Sequence, residues 1–337
     1  MSVPAVSVVL PVHNGEPHVA EAVRSVLALT WRDFELVICD DGSSDATPAI
    51  LVALAAEDPR IRLARREAKS GLAAAADWAV REARAPLVAI MHADDLAHPE
   101  RLAVQVALFA AHPDCVLTGS PAEAIDWHGD EAHPVNLWRL AHPSAFAPMA
   151  HSSIMFRREA YDAVGGYRSA ADYWEDLDLY WRMARLGRVL VTTRALTTYR
   201  YSRISTRQRD SSLPVERSLE TMYRCAEAVE HGALPETCGV LPDRALLHPR
   251  VFVACSWTRV WGGERAILLP ELLRRGRLRL DRATFESLGF VVWATLSPKS
   301  LRSVLRLITR LRNRWALRRL RGAELVEWQP LPQPTER

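Results

Sequence analysis

The sequence predicts an α/β fold: a mostly parallel sheet covered by helices on both faces. Two observations carry this. Short, β-rich apolar runs alternate with helical stretches through the first half of the chain, and each run closes on a polar or turn-forming cluster. Val6-Ser7-Val8-Val9-Leu10 is the first strand, ended by Pro11 and the Asn14-Gly15 turn. A helix is expected from about Pro17 to Leu29. Glu35-Leu36-Val37-Ile38-Cys39 is a second buried strand, closed by Asp40-Asp41-Gly42-Ser43, after which Ser44 or Asp45 can cap a helix over Thr47 to Glu57. Ile61 to Ala64 reads as a third strand, Leu72 to Arg84 as an Ala-rich helix, and Leu87 to Met91 as a fourth strand. That strand ends at His92-Ala93-Asp94-Asp95, ahead of a helix from Pro99 to Ala111. In such sheets ligands bind beyond the carboxyl ends of the strands, where His13-Asn14, Asp40-Asp41 and His92 to Asp95 stand.

The alternation is lost from about Asp126 to Pro148, a stretch read as a long loop or lid. A strand over Ser152 to Phe156, a short helix and Gly165-Gly166-Tyr167-Arg168 follow. The aromatic-acidic stretch Asp172-Tyr173-Trp174-Glu175-Asp176-Leu177-Asp178 then opens a helix to about Leu186, and Val189 to Thr192 is another strand. Beyond about Asp210 the chain reads as helical. The expected organisation is a catalytic α/β domain over residues 1–210 and a helical C-terminal region over 211–337.

The 337 residues, 49% hydrophobic and 25% charged, suffice for a sizeable core. A net charge of +3 is too small to argue for nucleic acid. Five scattered cysteines without CxxC spacing point to reduced thiols and a cytoplasmic setting. The N-terminus has no signal-peptide pattern, and no apolar run reaches the roughly 18–20 residues a bilayer span requires. There is no GxGxxG after the first strand, no GxxxxGK[ST] and no GxSxG, which disfavours dinucleotide oxidoreductases, P-loop NTPases and elbow-type hydrolases.

Three acidic clusters carry the candidate chemistry, and each has two open readings. Asp40 and Asp41 can accept hydrogen bonds from a base N–H and a ribose hydroxyl, or form a turn and cap the next helix. Asp94 and Asp95 suit Mg²⁺ or Mn²⁺ bridging to diphosphate oxygens, or cap the following helix. Glu175 and Asp176 can supply a general base for an acceptor hydroxyl, or complement a helix dipole. Trp174 can stack on a sugar face or sit in the core.

Taken together and in order, these segments resemble the family 2 glycosyltransferases, whose fold is GT-A. The matching stretches are Ser7 to Asn14, Val37 to Asp45, Ser70 to Ala75, His92 to Asp95 with Pro99 to Leu102, His151 through Arg158, Val164 to Arg168, and Glu175 to Arg182. They cover roughly residues 5 to 205, about two-thirds of the chain. The resemblance implies a nucleoside held by Pro11, Val12 and Asn14 with Asp40 and Asp41, Glu16 at a usually acidic position, and Lys69 and Gly71 near the nucleotide. It places Asp94 on the metal-binding carboxylate with Asp95 beside it, Asp176 on the catalytic base with Glu175 as its acidic neighbour, and His151 close to donor or acceptor. It implies a Mn²⁺ or Mg²⁺ cofactor, a nucleotide-diphosphate sugar donor, and single-sugar transfer with inversion, since the QxxRW motif of processive synthases is absent.

Two positions depart from the pattern. His92 stands where the DxD motif has its first Asp, and can ligate a transition metal through nitrogen or contact ribose or water. Tyr199-Arg200-Tyr201-Ser202 lacks the histidine often found there. A nucleotidyltransferase and a scaffold that kept the fold but lost turnover are the competing readings. In the tail, Leu301, Val304, Leu305, Ile308, Leu311 and Trp315 recur at helical spacing beside Arg302, Arg306, Arg310, Arg314 and Arg318. A basic amphipathic helix over 297–322 either lies on an anionic membrane at the inner face of the cell, reaching a lipid-linked or saccharide acceptor, or packs on the domain. The Ala- and Arg-rich composition suggests a bacterial source, and cell-surface polysaccharide or glycolipid assembly fits the family.

Overall fold

A computed structural model describes residues 3–125, 133–135, 147–171, 174–200 and 322–330, with isolated helical positions at 222, 225, 226, 229, 311, 314–316 and 318–320. Strand β1 is Val6–Val12, β2 Phe34–Asp41, β3 Ile61–Arg66, β4 Leu87–Ile90 and β5 Leu96–Ala97. Helix α1 is Val19–Leu27, α2 Thr47–Glu57, α3 Leu72–Glu82 and α4 Arg101–Ala111. Strands β6 (Cys115–Gly119), β7 (Ala122–Ile125), β8 (His133–Val135) and β9 (Met155–Arg157) follow. Next come α5 (Arg158–Ala163), α6 (Glu175–Met183), β10 (Arg188–Thr192), β11 (Thr197–Arg200) and β12 (Leu325–Glu327).

Among the described residues the main sheet has eight strands in the order β12-β10-β6-β9-β4-β1-β2-β3. The β4-β1-β2-β3 half is parallel, as the alternation of strand and helix dictates. The other half is mixed, because β9 runs antiparallel to both β4 and β6. Val6, Val8 and Leu10 face one side of β1 and pack with α1 through Val19, Val23 and Val26, while Val9 turns to the other side, where the alanines of α3 cover the sheet. Those alanines let α3 lie close to the strands. A smaller sheet, β5-β11-β7-β8, stands apart.

Several expectations change. The stretch from 126 to 148 contains strand β8, paired with β7, and most of it lies outside the described residues. The all-helical reading beyond residue 210 misses β12, which pairs antiparallel with β10 at the edge of the main sheet and brings Trp328 into the core. The strand expected from Ser152 begins at Met155, because His151–Ser153 forms a 3-10 turn. Among the described residues no helix is long and apolar enough to cross a membrane. Of the tail helix, Ala316 is fully buried and Leu320 packs on the core, while Leu311 and Trp315 are 54% and 43% exposed.

Candidate active site

The strands β4, β1 and β2 are neighbours in parallel register, with Val12 opposite Asp40 and Val9 opposite Ile90. Their carboxyl ends therefore deliver His92–Asp95, His13-Asn14 and Asp40-Asp41 side by side. The β1 and β2 loops are stitched together. Asn14, at φ 53°, donates its backbone N–H to Ser43 Oγ at 2.9 Å, and its Oδ1 accepts from the Ser44 N–H at 2.8 Å. Asparagine tolerates this left-handed backbone better than most residues. Glu16 accepts from the Ala46 N–H, and Asp45 accepts from both the Glu16 N–H and the Thr47 N–H at the start of α2.

Asp40 and Asp41 are both buried, and the turn expected of Asp40 exists: its Oδ1 accepts from the Ser43 N–H at 2.9 Å. Its Oδ2 lies 3.3 Å from Arg65 Nε without a hydrogen bond. Asp41 is engaged by Ser70, which donates both its backbone N–H (2.8 Å) and its hydroxyl (2.7 Å) to the two carboxylate oxygens. Ser70 thus ties the Lys69–Gly71 loop to the end of β2, and sequence reasoning gave it no role. Gly42, at φ +73°, sits against this loop. A Cβ there would come within 2.8 Å of Ala68 C and Lys69 N, so a side chain would push the loop away. Lys69 is exposed and Gly71 half-buried at the start of α3. Pro11 is half-buried and Val12 buried at the end of β1.

After β4 the chain turns at His92-Ala93-Asp94-Asp95. Ligand atoms of His92, Asp94 and Asp95 all lie within 4.8 Å of one another, a spacing that fits one divalent cation. Asp95 is 0% exposed; its Oδ1 accepts from the Arg200 N–H at 3.0 Å, and its Oδ2 makes no hydrogen bond. A fully buried carboxylate oxygen left in this state is costly unless a cation or ligand proton completes it. Burial, then the neighbouring charge of Asp95, pushes the Asp94 carboxyl up to about 6. Arg200 braces the turn by donating its Nε–H to Asp94 O (3.1 Å) and pairing with Glu21 at 2.8 Å. This is the work done by the Tyr199-Arg200 segment whose missing histidine was noted from sequence. Beneath it lies Arg101, fully buried, its guanidinium donating to Ile90 O and Ile154 O; burial lowers its pKa to about 9.

His151, at the 3-10 turn before β9, faces this cluster. Its Nδ1 is 3.2 Å from His92 Nε2, and its Nε2 is 2.8 Å from Tyr167 Oη. Burial and the neighbouring His92 hold His151 well below the ordinary histidine range, so it stays neutral. For His92 burial opposes charge, yet the adjacent Asp95 carboxylate, then Asp94 and Glu175, outweigh it and raise the pKa.

Helix α6 supplies the second carboxylate pair, Glu175 and Asp176, in its first turn. The helix is locked from behind by Asp178, whose buried carboxylate receives Arg168 and Arg182; Arg182 Nε and Nη2 lie 3.1 and 2.6 Å from Oδ2. Arg182 also donates to Val164 O and Gly166 O, fixing the glycine turn. Gly166 (φ +73°) must remain glycine, because a Cβ would meet Asp77 Oδ1 at 2.5 Å. Asp176 is half-buried and accepts from the Leu177 N–H at 2.8 Å. Burial, then Tyr161, Glu175 and Asp176, raise the Tyr167 hydroxyl well above its ordinary pKa. Trp174 corrects the stacking expectation: it is 0% exposed, with its ring 5.9 Å from Trp181, and presents no face to a sugar.

Residues 7–165 match the family described as Glycosyl transferase family 2. The protein named "Putative glycosyltransferase EpsE" of Bacillus subtilis (strain 168) is 33% identical over 190 residues, covering 55% of this chain and 68% of that protein. The chain belongs to glycosyltransferase family 2. The chondroitin synthase of Escherichia coli is 30% identical over 191 residues, 55% of this chain but 27% of that protein. This family 2 enzyme thus spans about a quarter of the synthase's length. Its fold matches that of the mannosyltransferase PcManGT from Pyrobaculum calidifontis, solved with GDP-Man and Mn²⁺, with a TM-score of 0.55 at 18% identity over 94% of this chain and 88% of that one. At that identity the likeness establishes the GT-A fold.

Proposed function

We propose that this glycosyltransferase moves a single sugar from a nucleotide-diphosphate sugar to an acceptor hydroxyl with inversion. The observation that carries the reading is the His92, Asp94 and Asp95 cluster at the carboxyl end of β4, linked through His92 to His151 and Tyr167, with the Glu175-Asp176 pair opening α6. The loops after β1 and β2, with Asp40, Asp41 and Lys69, form the nucleoside side. Asp94 and Asp95 would hold Mn²⁺ or Mg²⁺, which supplies charge neutralisation to a leaving diphosphate.

The chemistry assigned to this chain is proton removal and positioning. Asp176 takes the proton of the acceptor hydroxyl as its oxygen bonds to the anomeric carbon, and the bond from that carbon to the diphosphate oxygen breaks on the opposite face. The nucleoside diphosphate leaves with the electron pair of that bond. Asp178, held by two arginines, fixes the helix that aims Asp176. The catalytic unit is residues 1–210 with β12 added. The half-exposed Leu311 and Trp315, on a helix carrying Arg314 and Arg318, support peripheral docking on an anionic membrane and a lipid-linked acceptor at its cytoplasmic face.

A panel of nucleotide-sugars with polyprenyl-phosphate-linked and free saccharide acceptors tests the reading. Nucleoside diphosphate release that requires acceptor, with an inverted linkage in the product and loss of turnover in Asp176→Asn, is expected. Release of equal size in Asp176→Asn, or a retained linkage, contradicts it.

A further inference from the structure

The two nitrogens of His92 are engaged on opposite sides. Nδ1 faces Asp95 Oδ2 at 3.4 Å, and Nε2 faces His151 Nδ1 at 3.2 Å. The Asp95 oxygen so faced is fully buried and makes no hydrogen bond. His92 Nδ1 stands 3.4 Å from that oxygen without forming a hydrogen bond to it. The Asp94 carboxylate lies within the same 4.8 Å cluster. One imidazole nitrogen and two carboxylates therefore converge on a point where a buried acceptor lacks its partner.

We propose that His92 is a nitrogen ligand of the cation at this site, held in register by His151 and Tyr167, and that it gives the site a preference for Mn²⁺, Co²⁺ or Zn²⁺ over Mg²⁺. The inference rests on the donor-site reading above and adds the metal's identity and the side chains that select it. Mg²⁺ takes oxygen ligands and keeps its waters, whereas imidazole suits the transition ions.

The string of rings behind His92 has the one arrangement such a ligand needs. With Nδ1 on the cation, the Nε2–H of His92 donates to His151 Nδ1, and the Nε2–H of His151 donates to Tyr167 Oη at 2.8 Å. Every link has one donor and one acceptor. Ligating histidines almost always donate their second N–H in this way, which fixes tautomer and ring orientation. Here the acceptor is a second histidine and not a carboxylate. His151 and Tyr167 are accordingly positioning residues. Edge contacts hold the rings: His92 and His151 centroids are 5.0 Å apart at 76°, and His151 and Tyr167 are 5.8 Å apart at 72°.

The test is electron spin-echo spectroscopy of the full chain loaded with Mn²⁺ and UDP or GDP, beside Mn²⁺ and Mg²⁺ titrations by calorimetry. Wild type is expected to show ¹⁴N modulation from a directly bound imidazole. In His92→Asp, which restores a carboxylate and still binds Mn²⁺, the modulation is expected to vanish and the Mn²⁺:Mg²⁺ affinity ratio to fall at least about tenfold. Tyr167→Phe keeps the ring that packs the core but removes the acceptor of His151, and is expected to weaken Mn²⁺ by about tenfold while leaving Mg²⁺ nearly unchanged. Bound Mn²⁺ without ¹⁴N modulation, or an unchanged ratio in His92→Asp, overturns the proposal and leaves the donor-site reading standing. Failure of Mn²⁺ to bind under any of these conditions overturns both.

Discussion

Glu35 and Asp95 are buried carboxylates at opposite ends of one sheet, and the chain treats them in opposite ways. At the amino end of the strands Glu35 accepts from the Ser7 hydroxyl at 2.6 Å, from the Arg84 N–H at 2.9 Å, and from the side chains of Arg62 and Arg84. At the carboxyl end Asp95 has one oxygen that makes no hydrogen bond, beside a second acidic residue that raises its cost. The first arrangement closes a β1–β2–α3 junction and leaves nothing to add. The second leaves an acceptor that the cation of the proposed function would complete. The contrast repeats within α6, where Asp178 is clamped by two arginines and Asp176, two residues earlier, is half-buried at the helix start. Glu35 and Asp178 are held by arginine side chains, whereas one oxygen of Asp95 is left without a hydrogen bond.

The largest expected effect falls on the proposed base of the α6 pair. Asp176→Asn should lower kcat by about 10²–10⁴-fold, with the melting temperature unmoved, as steady-state kinetics and calorimetry would show. Its structural neighbour should behave in reverse. Asp178→Ala leaves two guanidinium groups facing a vacated buried position, and unfolding in denaturant should register a loss of about 3–5 kcal/mol.

A smaller effect separates the two ends of the sheet. Glu35→Gln should cost about 1–2 kcal/mol at pH 7. Burial opposes the Glu35 charge, but the hydrogen bonds from Ser7, Arg84 and Arg62 outweigh it and hold the folded pKa below the ordinary 4.5. Its stabilisation is therefore fully present above about pH 4.5 and is lost as pH falls through the folded value. The variant should show a shallower acid limb in a pH series of denaturation midpoints. The smallest effect has the opposite sign. Asp94→Asn removes repulsion from Asp95 and should raise stability by about 1 kcal/mol in metal-free buffer, measured by thermal unfolding with chelator present.

The parallel half of the fold was legible because β1, β2 and β4 are continuous apolar runs bounded by turn residues, and α2 spans the 47–57 expected of it. The mixed half was not. Cys115–Gly119 is a short buried run without alternation, β5 is two residues long, and β12 finds its partner β10 more than 130 residues away. At the site two of the three acidic clusters announced themselves by falling at strand ends, and the third by opening a helix. What sequence could not reveal was their support: Ser70 on Asp41, Arg200 around Asp94 and Asp95, and the arginine pair on Asp178. The first two join residues distant in sequence through contacts that no local pattern encodes, whereas Asp178–Arg182 is an i,i+4 helical pair to which Arg168 is added from the preceding turn. Trp174 shows the converse, an aromatic beside the base whose neighbourhood suggested a sugar platform and whose burial makes it core.

The central claim is that the carboxyl ends of β1, β2 and β4 form a metal-dependent nucleotide site. Calorimetric titration with UDP, GDP and dTDP, with and without Mn²⁺, on wild type and Asp94→Ala tests it most directly. Binding of one nucleotide that requires Mn²⁺ and disappears in Asp94→Ala is the expected result. Binding of none of the three, or binding indifferent to both the metal and Asp94, would contradict it.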